Sequence, residues 1–205
     1  MPNWCNTIVI ISHKDTNKTK ELYDKLKEWT SKDYYENDFG HEWLGNVALG
    51  SGIATWDKDK GAVTDTGKIV NCRGAIRLLD FEDGNIHISQ DDAWSPNVYL
   101  YKMICDKYLP DAEILFSADE PGCEVYETND PAVEGSYVID VYYKRPDEFK
   151  DEDTMYEAEE SDVVEFCQRA LKTDETDITK LLDAMKNVDW CSIHKWKHQE
   201  IEDYC

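Results

Sequence analysis

The chain has 205 residues, 41% of them hydrophobic, enough for one domain of ordinary size with or without an appendage. Acidic residues outnumber basic ones 44 to 22, a formal net charge of −22. A field of that sign repels phosphate backbones and anionic lipid, so direct contact with nucleic acid or a membrane surface is not expected.

No window approaches the length of a transmembrane span. The opening residues offer neither a basic n-region nor a long apolar run, so a cytoplasmic chain is expected. The seven cysteines (Cys5, Cys72, Cys105, Cys123, Cys167, Cys191 and Cys205) are odd in number and contain no C-x-x-C. Free thiols in a reducing compartment are the expectation. The dense basic run Lys18, Lys20, Lys25, Lys27 and Lys32 reads as the solvated face of a helix.

Residues 6–12, NTIVIIS, are apolar and β-branched and predict a buried central strand. Asp15 or Thr16 stands where a cap is needed, and Leu22, Leu26 and Trp29 recur at helical spacing, predicting a helix over 18–31. Tyr34, Tyr35, Phe39 and Trp43 follow. They are costly to leave in water, which predicts an ordered insertion packed on the core. Residues 47–53, VALGSGI, invite a phosphate-loop reading through Gly50 and Gly52. The third glycine and the strand–turn–helix context are missing, so nucleotide binding is not expected there. Residues 57–61, DKDKG, are similar to a calcium loop but have glycine at the fifth position and Lys68 at the twelfth. A polar hairpin tip is the better reading.

Residues 75–81 predict the second strand, and Asp83-Gly84 a hairpin into a third strand, where Ile86 and Ile88 alternate with His87 and Ser89. Asp91 and Asp92 end it. Ser95-Pro96 has the form of an N-cap and first helical position, predicting a helix over 96–108. Residues 114–118 form the next strand, Glu120-Pro121-Gly122 a tight turn, and Val125-Tyr126 and 137–143 further antiparallel strands. Strand, helix, strand, strand, helix, strand is the order of a split βαβ or ferredoxin-like α+β fold with a mainly antiparallel sheet. It is assigned to residues 1–145. Residues 146–205 are expected to form an acidic linker or arm and a helical C-terminal extension, with helices over 162–171 and around Ile178, Leu181, Leu182 and Met185.

Met1-Pro2-Asn3-Trp4-Cys5-Asn6 opens the chain, and Asp92-Ala93-Trp94-Ser95-Pro96 enters the second helix. Together they resemble the YubB-like ferredoxin-like proteins carried by plasmids, phages and integrated mobile elements. Residues 52–57, GIATWD, are similar to a Gly-Thr-Lys-Trp-Asp motif of that family and depart from it at two positions. The resemblance covers roughly residues 1–143. It implies a ferredoxin-like sheet and a mobile-element origin, and no settled activity. It implies no iron–sulfur cluster, because the cysteines lack any cluster spacing. No cofactor is expected.

Asn3, Trp4, Asp92, Trp94 and Ser95 are placed to converge at one end of the sheet. An indole pair with polar neighbours suits a flat, nucleotide-like ligand. The simpler expectation is that both indoles plug the core and Ser95 caps. Cys191, His194, His198 and Cys205 have metal-like spacing, with both histidines on one helix face, but no partner pair is evident and no metal is expected. The enzyme alternative is a cysteine- or carboxylate-based hydrolase near Cys5 and Trp94, with Cys5 or Cys123 and His87 as nucleophile and base, but no catalytic motif surrounds them. A protein without an active site of its own is expected.

The excess of acid exceeds what solubility requires. It suggests an accessory protein of a mobile element that presents negative potential to a basic host partner, such as a nucleic-acid-processing defence enzyme, and inhibits it by mimicry; an acidic proteome or simple solubility is the equal alternative. The acids are densest at Asp147, Glu148, Asp151, Glu152, Asp153, Glu157, Glu159, Glu160 and Asp162, which are the expected partner-binding residues.

Overall fold

The computed structural model describes residues 3–36 and 38–205, so Met1 and Pro2 of the opening motif, and Asn37 in the aromatic insertion, lie outside the described residues. Among the described residues, five α-helices and a large, mainly antiparallel sheet make a mixed α/β architecture. The chain divides into two compact units, residues 3–130 with 199–205, and residues 131–198.

In the first unit, β1 (Trp4–Ser12) buries Cys5, Thr7, Val9 and Ile11 and leaves the alternate residues towards the other face. It is central, yet Ile8 remains 44% exposed, so the expectation of burial on both faces is corrected. The period of two, more than the apolar run, decides which side chains enter the core. Helix α1 (Thr16–Trp29) starts where Asp15 accepts a hydrogen bond from the Asn17 amide at 3.1 Å, and it buries Leu22, Leu26 and Trp29.

Helix α2 (Leu44–Gly50) takes in the first four residues of the VALGSGI stretch, and most of it is buried. A Cβ on Gly50 would meet the rings of Trp29 and Tyr34 at 2.8 and 2.7 Å, so this glycine serves close packing. Strands β2 (Thr55–Asp57) and β3 (Gly61–Val63) form the expected polar hairpin. Its tip is tied by Asp57, whose Oδ1 accepts from the amides of Asp59 and Lys60, both at 2.9 Å.

Strands β4 (Gly74–Glu82) and β5 (Asn85–Ala93) meet at Asp83 and Gly84, with φ of 51° and 84°, the left-handed pair a tight hairpin demands. Strand β5 runs past Asp91 and Asp92 to Ala93. Helix α3 (Tyr99–Tyr108) therefore begins later than expected. Val98 is its N-cap, and Ser95 makes no cap bond. Strands β6 (Glu113–Glu120) and β7 (Val125–Thr128) follow, and the turn Ile201–Tyr204 adds Ile201 to the unit's core.

Within this unit the strand order is β7-β6-β1-β5-β4, every neighbour antiparallel. Leu22 and Leu26 of α1 and Leu100, Tyr101 and Ile104 of α3 share one core with Val9, Ile11, Ile86, Ile88 and Phe116, so both helices cover the same face of the sheet.

The second unit corrects the expected boundary at residue 145. Strand β8 (Tyr137–Val141) does not extend the large sheet. It is the middle strand of a separate sheet, between β9 (Met155–Ala158) and β10 (Cys191–Lys195). Helices α4 (Glu160–Leu171) and α5 (Ile178–Met185) share that unit's core with Tyr137, Ile139, Phe149, Ala158 and Cys191. Nor is the acidic stretch a linker or arm. Phe149 is 1% exposed and lies against Phe166 and Trp190, which anchors the run in a folded unit. No helix among the described residues is long and apolar enough to cross a membrane.

Candidate ligand cleft

The start of β1, the end of β5 and the start of β4 lie side by side, with Trp4 opposite Ala93. Three further pieces build walls there. Residues 69–73 form a strap that joins the β2–β3 hairpin to β4. The strap is held by the Val70 amide on the Ala62 carbonyl at 2.8 Å and by the Ala93 amide on the Arg73 carbonyl at 2.7 Å. Residues 42–43 run along the β4 edge, where the Ile76 amide donates to the Glu42 carbonyl at 2.9 Å. The aromatic insertion is fixed by the buried side chain of Asn46, whose Nδ2 donates to the carbonyls of Gly40 and His41 and whose Oδ1 accepts from the Tyr34 amide.

These pieces enclose a cleft of about 680 Å³, a volume usual for small-molecule sites. Trp4, Phe39, Trp43 and Trp56 line it. The Trp43 indole is locked by Nε1–H donating to the Cys72 carbonyl at 2.7 Å. Gly45 makes room for it, because a Cβ there would lie 2.3 Å from the ring. Trp56 stands edge-on to Trp43 with centroids 5.5 Å apart, and Tyr35 stacks on it at 4.6 Å. Phe39 is 5.3 Å from Trp43 yet 70% exposed, and Trp4 is 54% exposed. Single exposed rings are ordinary, but exposed rings gathered around one apolar cleft mark a binding surface.

The motifs do meet at this end of the sheet: the Trp94 amide donates to the Asn3 carbonyl at 3.0 Å. Their residues take different parts. Trp4 lines the cleft. Trp94 is 46% exposed, at a positive φ of 76°, and is not among the lining residues. Neither indole plugs the core. Asn3 donates to the Cys123 thiol at 3.5 Å. Asp92 lies beneath the floor, fully buried. Its Oδ2 accepts from the Thr7 hydroxyl at 2.8 Å, Gln90 Nε2 at 2.7 Å and the Asn97 amide at 3.0 Å, and its Oδ1 accepts from Asn97 Nδ2 at 2.7 Å. Burial raises its carboxyl above the usual carboxylate range, and the bonds from Asn97, Gln90 and Thr7 pull it back. Asn97 Nδ2 also reaches the Arg73 carbonyl at 3.3 Å, so the network supports the strap rather than a ligand.

The Cys5–His87 pairing does not form. Cys5 faces the core opposite Asp92, whereas His87 stands opposite Ile10 on the other face. The two positions are roughly 17 Å apart along the strands, from the rise of an extended chain. Burial also pushes the Cys5 thiol up to about 12. Cys123 is exposed, and its thiol is raised chiefly by its hydrogen bond to Glu120. His194 sits on β10 rather than on a helix, and the His198 ring meets Glu134 at 3.1 Å. Cys191 is buried, and no three potential ligands gather as a metal site among the described residues.

Of the nine acids, eight are exposed on the second unit and Glu152 is half-buried. Glu152 pairs with Arg169 at 2.6 Å, Glu148 with Lys172 at 3.7 Å, and Glu159 and Asp162 form the capping box of α4. Asp147, Asp151, Asp153, Glu157 and Glu160 make no ion pair among the described residues.

Sequence reasoning missed Asn46, Trp56, Lys60 and Arg73 as parts of one site. Trp56 stood in the motif-like GIATWD stretch, and Lys60 in the hairpin tip. Only the tertiary return of the strap unites them. Compared with family models, curated proteins and solved structures, the chain matches none.

Proposed function

We propose that the first unit is a binding module for a flat aromatic ligand, held among Trp4, Phe39, Trp43 and Trp56. The observation that carries this is a preformed apolar cleft that sets one ring fixed from behind, Trp43, beside rings left largely in solvent, Trp4 and Phe39. The strand order β6-β1-β5-β4, with α1 and α3 on one face, supports a ferredoxin-like split βαβ arrangement as the scaffold. The motif resemblance supports a mobile-element origin, and the charge and free cysteines support a cytoplasmic setting without direct nucleic-acid contact. The module acts by binding and not by catalysis.

Titrating the protein's tryptophan fluorescence with neutral flat aromatics (adenosine, theophylline, indole) tests the reading. Saturable quenching is expected, and Trp56→Leu should weaken it about tenfold or more, the cost of one lost stacking face. Absence of saturable binding by every flat probe would falsify it.

A second reading is favoured by the exposed acids that Phe149 holds in an ordered unit. Here the second unit engages a basic host protein, such as a nucleic-acid-binding defence enzyme, by mimicking phosphate density. Capture of such a protein from host lysate should fall steeply with salt. It should be lost when the nine acids become Asn and Gln. A partner retained through both changes rules mimicry out.

A further inference from the structure

The cleft differs from the rest of the chain in charge. Of 205 residues 44 are acidic, yet no carboxylate is among the described lining residues of this cleft. Two cations, Lys60 and Arg73, stand there instead. Both are exposed, and neither makes an ion pair among the described residues. The Arg73 backbone is fixed at both polar atoms. Its carbonyl accepts from Ala93 and Asn97, and its amide donates to Asn71 Oδ1 at 3.3 Å. Its guanidinium is thus carried by a pinned base while its tip remains free to bind.

An apolar ligand does not need two cations, and a solvated surface of this protein would by composition carry acids. A negative group on the ligand accounts for both features. The wider field limits how negative that ligand is. A chain of net charge −22 opposes each added negative charge beyond those the two cations offset.

We infer that the cleft takes a nucleoside monophosphate, its base among the aromatic rings and its single phosphate on Arg73 and Lys60. This rests on the reading of the cleft as an aromatic-ligand site. Arg73 supplies a planar fork matched to two phosphate oxygens, and Lys60 a point charge on the hairpin tip. The rings accept any base by its face, so base identity contributes little to affinity.

Calorimetric titration of the full chain at fixed ionic strength with adenosine, AMP, ATP and inorganic phosphate separates the contributions. AMP should bind about ten- to a hundredfold tighter than adenosine, the range of a charge-assisted hydrogen bond. Arg73→Gln and Lys60→Gln together should bring AMP down to the adenosine level. Both side chains are exposed, so near-ultraviolet circular dichroism should be unaltered. ATP should bind no tighter than AMP, and phosphate alone only weakly. Equal affinity for AMP and adenosine, or an AMP advantage that survives both substitutions, overturns the inference. So does tight phosphate binding that Trp56→Leu does not alter, or a strong preference for ATP. If adenosine and AMP both fail while other flat probes still bind in a Trp56-dependent way, the nucleotide inference falls alone. If every flat probe fails, the cleft reading falls with it.

Discussion

Replacing Asp92 by alanine should cost the first unit about 3 kcal/mol or more of stability, since a buried carboxylate that accepts several bonds leaves each donor unsatisfied when removed. The donors are the Thr7 hydroxyl, Gln90 Nε2, the Asn97 amide and Asn97 Nδ2, all in the protein interior. They link β1, β5 and the lead-in to α3, and through Asn97 they reach the Arg73 carbonyl. Strap and sheet should therefore loosen together, and ligand affinity should fall with stability. Gly74 reports on the same tightness, because a Cβ there would lie 2.2 Å from Asp92 Oδ1.

Asp92→Asn should be milder. One amide oxygen still accepts from Thr7, Gln90 and the Asn97 backbone, and the Asn97 side chain can turn its Oδ1 towards the new amide. The cost is then the bond from Asn97 to Arg73. The carboxyl is raised in the folded protein by burial, so the folded state holds its proton more tightly than the unfolded chain does. Its contribution to stability is therefore fully present below the ordinary carboxylate range and declines as pH rises through the raised value. Wild type should lose ground relative to Asp92→Asn across that interval. Urea unfolding of the three proteins at several pH values measures this. An alanine variant within about 1 kcal/mol of wild type would show that the network carries little.

The elements legible in the sequence were those written in a single period. The alternation of Ile86 and Ile88, the spacing of Leu22, Leu26 and Trp29, and the Asp83-Gly84 turn each declare a local structure through backbone geometry alone. The cleft was only half legible. Trp4 and the aromatic insertion were marked by composition, since exposed rings are costly. Trp43, Trp56 and Arg73 converge only because the strap returns along a sheet edge, and no periodicity announces a return. Asp92 misled for a related reason. An acid at a strand end reads as a solvated stop, and only the four bonds it accepts from Thr7, Gln90 and Asn97 show that it is an interior hub. Ser95 before Pro96 likewise read as a cap, but β5 runs on to Ala93 and the helix starts only at Tyr99.

Phe149 decides the second unit in the same way that Asp92 decides the first. It is the one large apolar residue in the acidic stretch from Asp147 to Asp153, and it sits 5.5 Å from Phe166 and 4.6 Å from Trp190 by ring centroids. The Arg169 guanidinium lies over its ring at 4.9 Å while also pairing with Glu152. Phe149→Ala should therefore cost about 3–5 kcal/mol, the range for a large ring removed from a packed core. That is a large share of the roughly 5–15 kcal/mol that holds an ordinary domain folded. Each unit has its own core, so the loss should be confined to one of them. Hydrogen exchange should quicken in β8, β9 and α4 and stay slow in β1 and β5. Equal loss of protection in β1 and β5 would mean that the units do not unfold separately. The same variant separates two forms of the mimicry reading, because it keeps every acid while releasing the segment that carries them. A rigid array of carboxylates should lose capture of its basic partner along with Phe149. A merely diffuse negative charge should keep it, since the charge itself is unaltered.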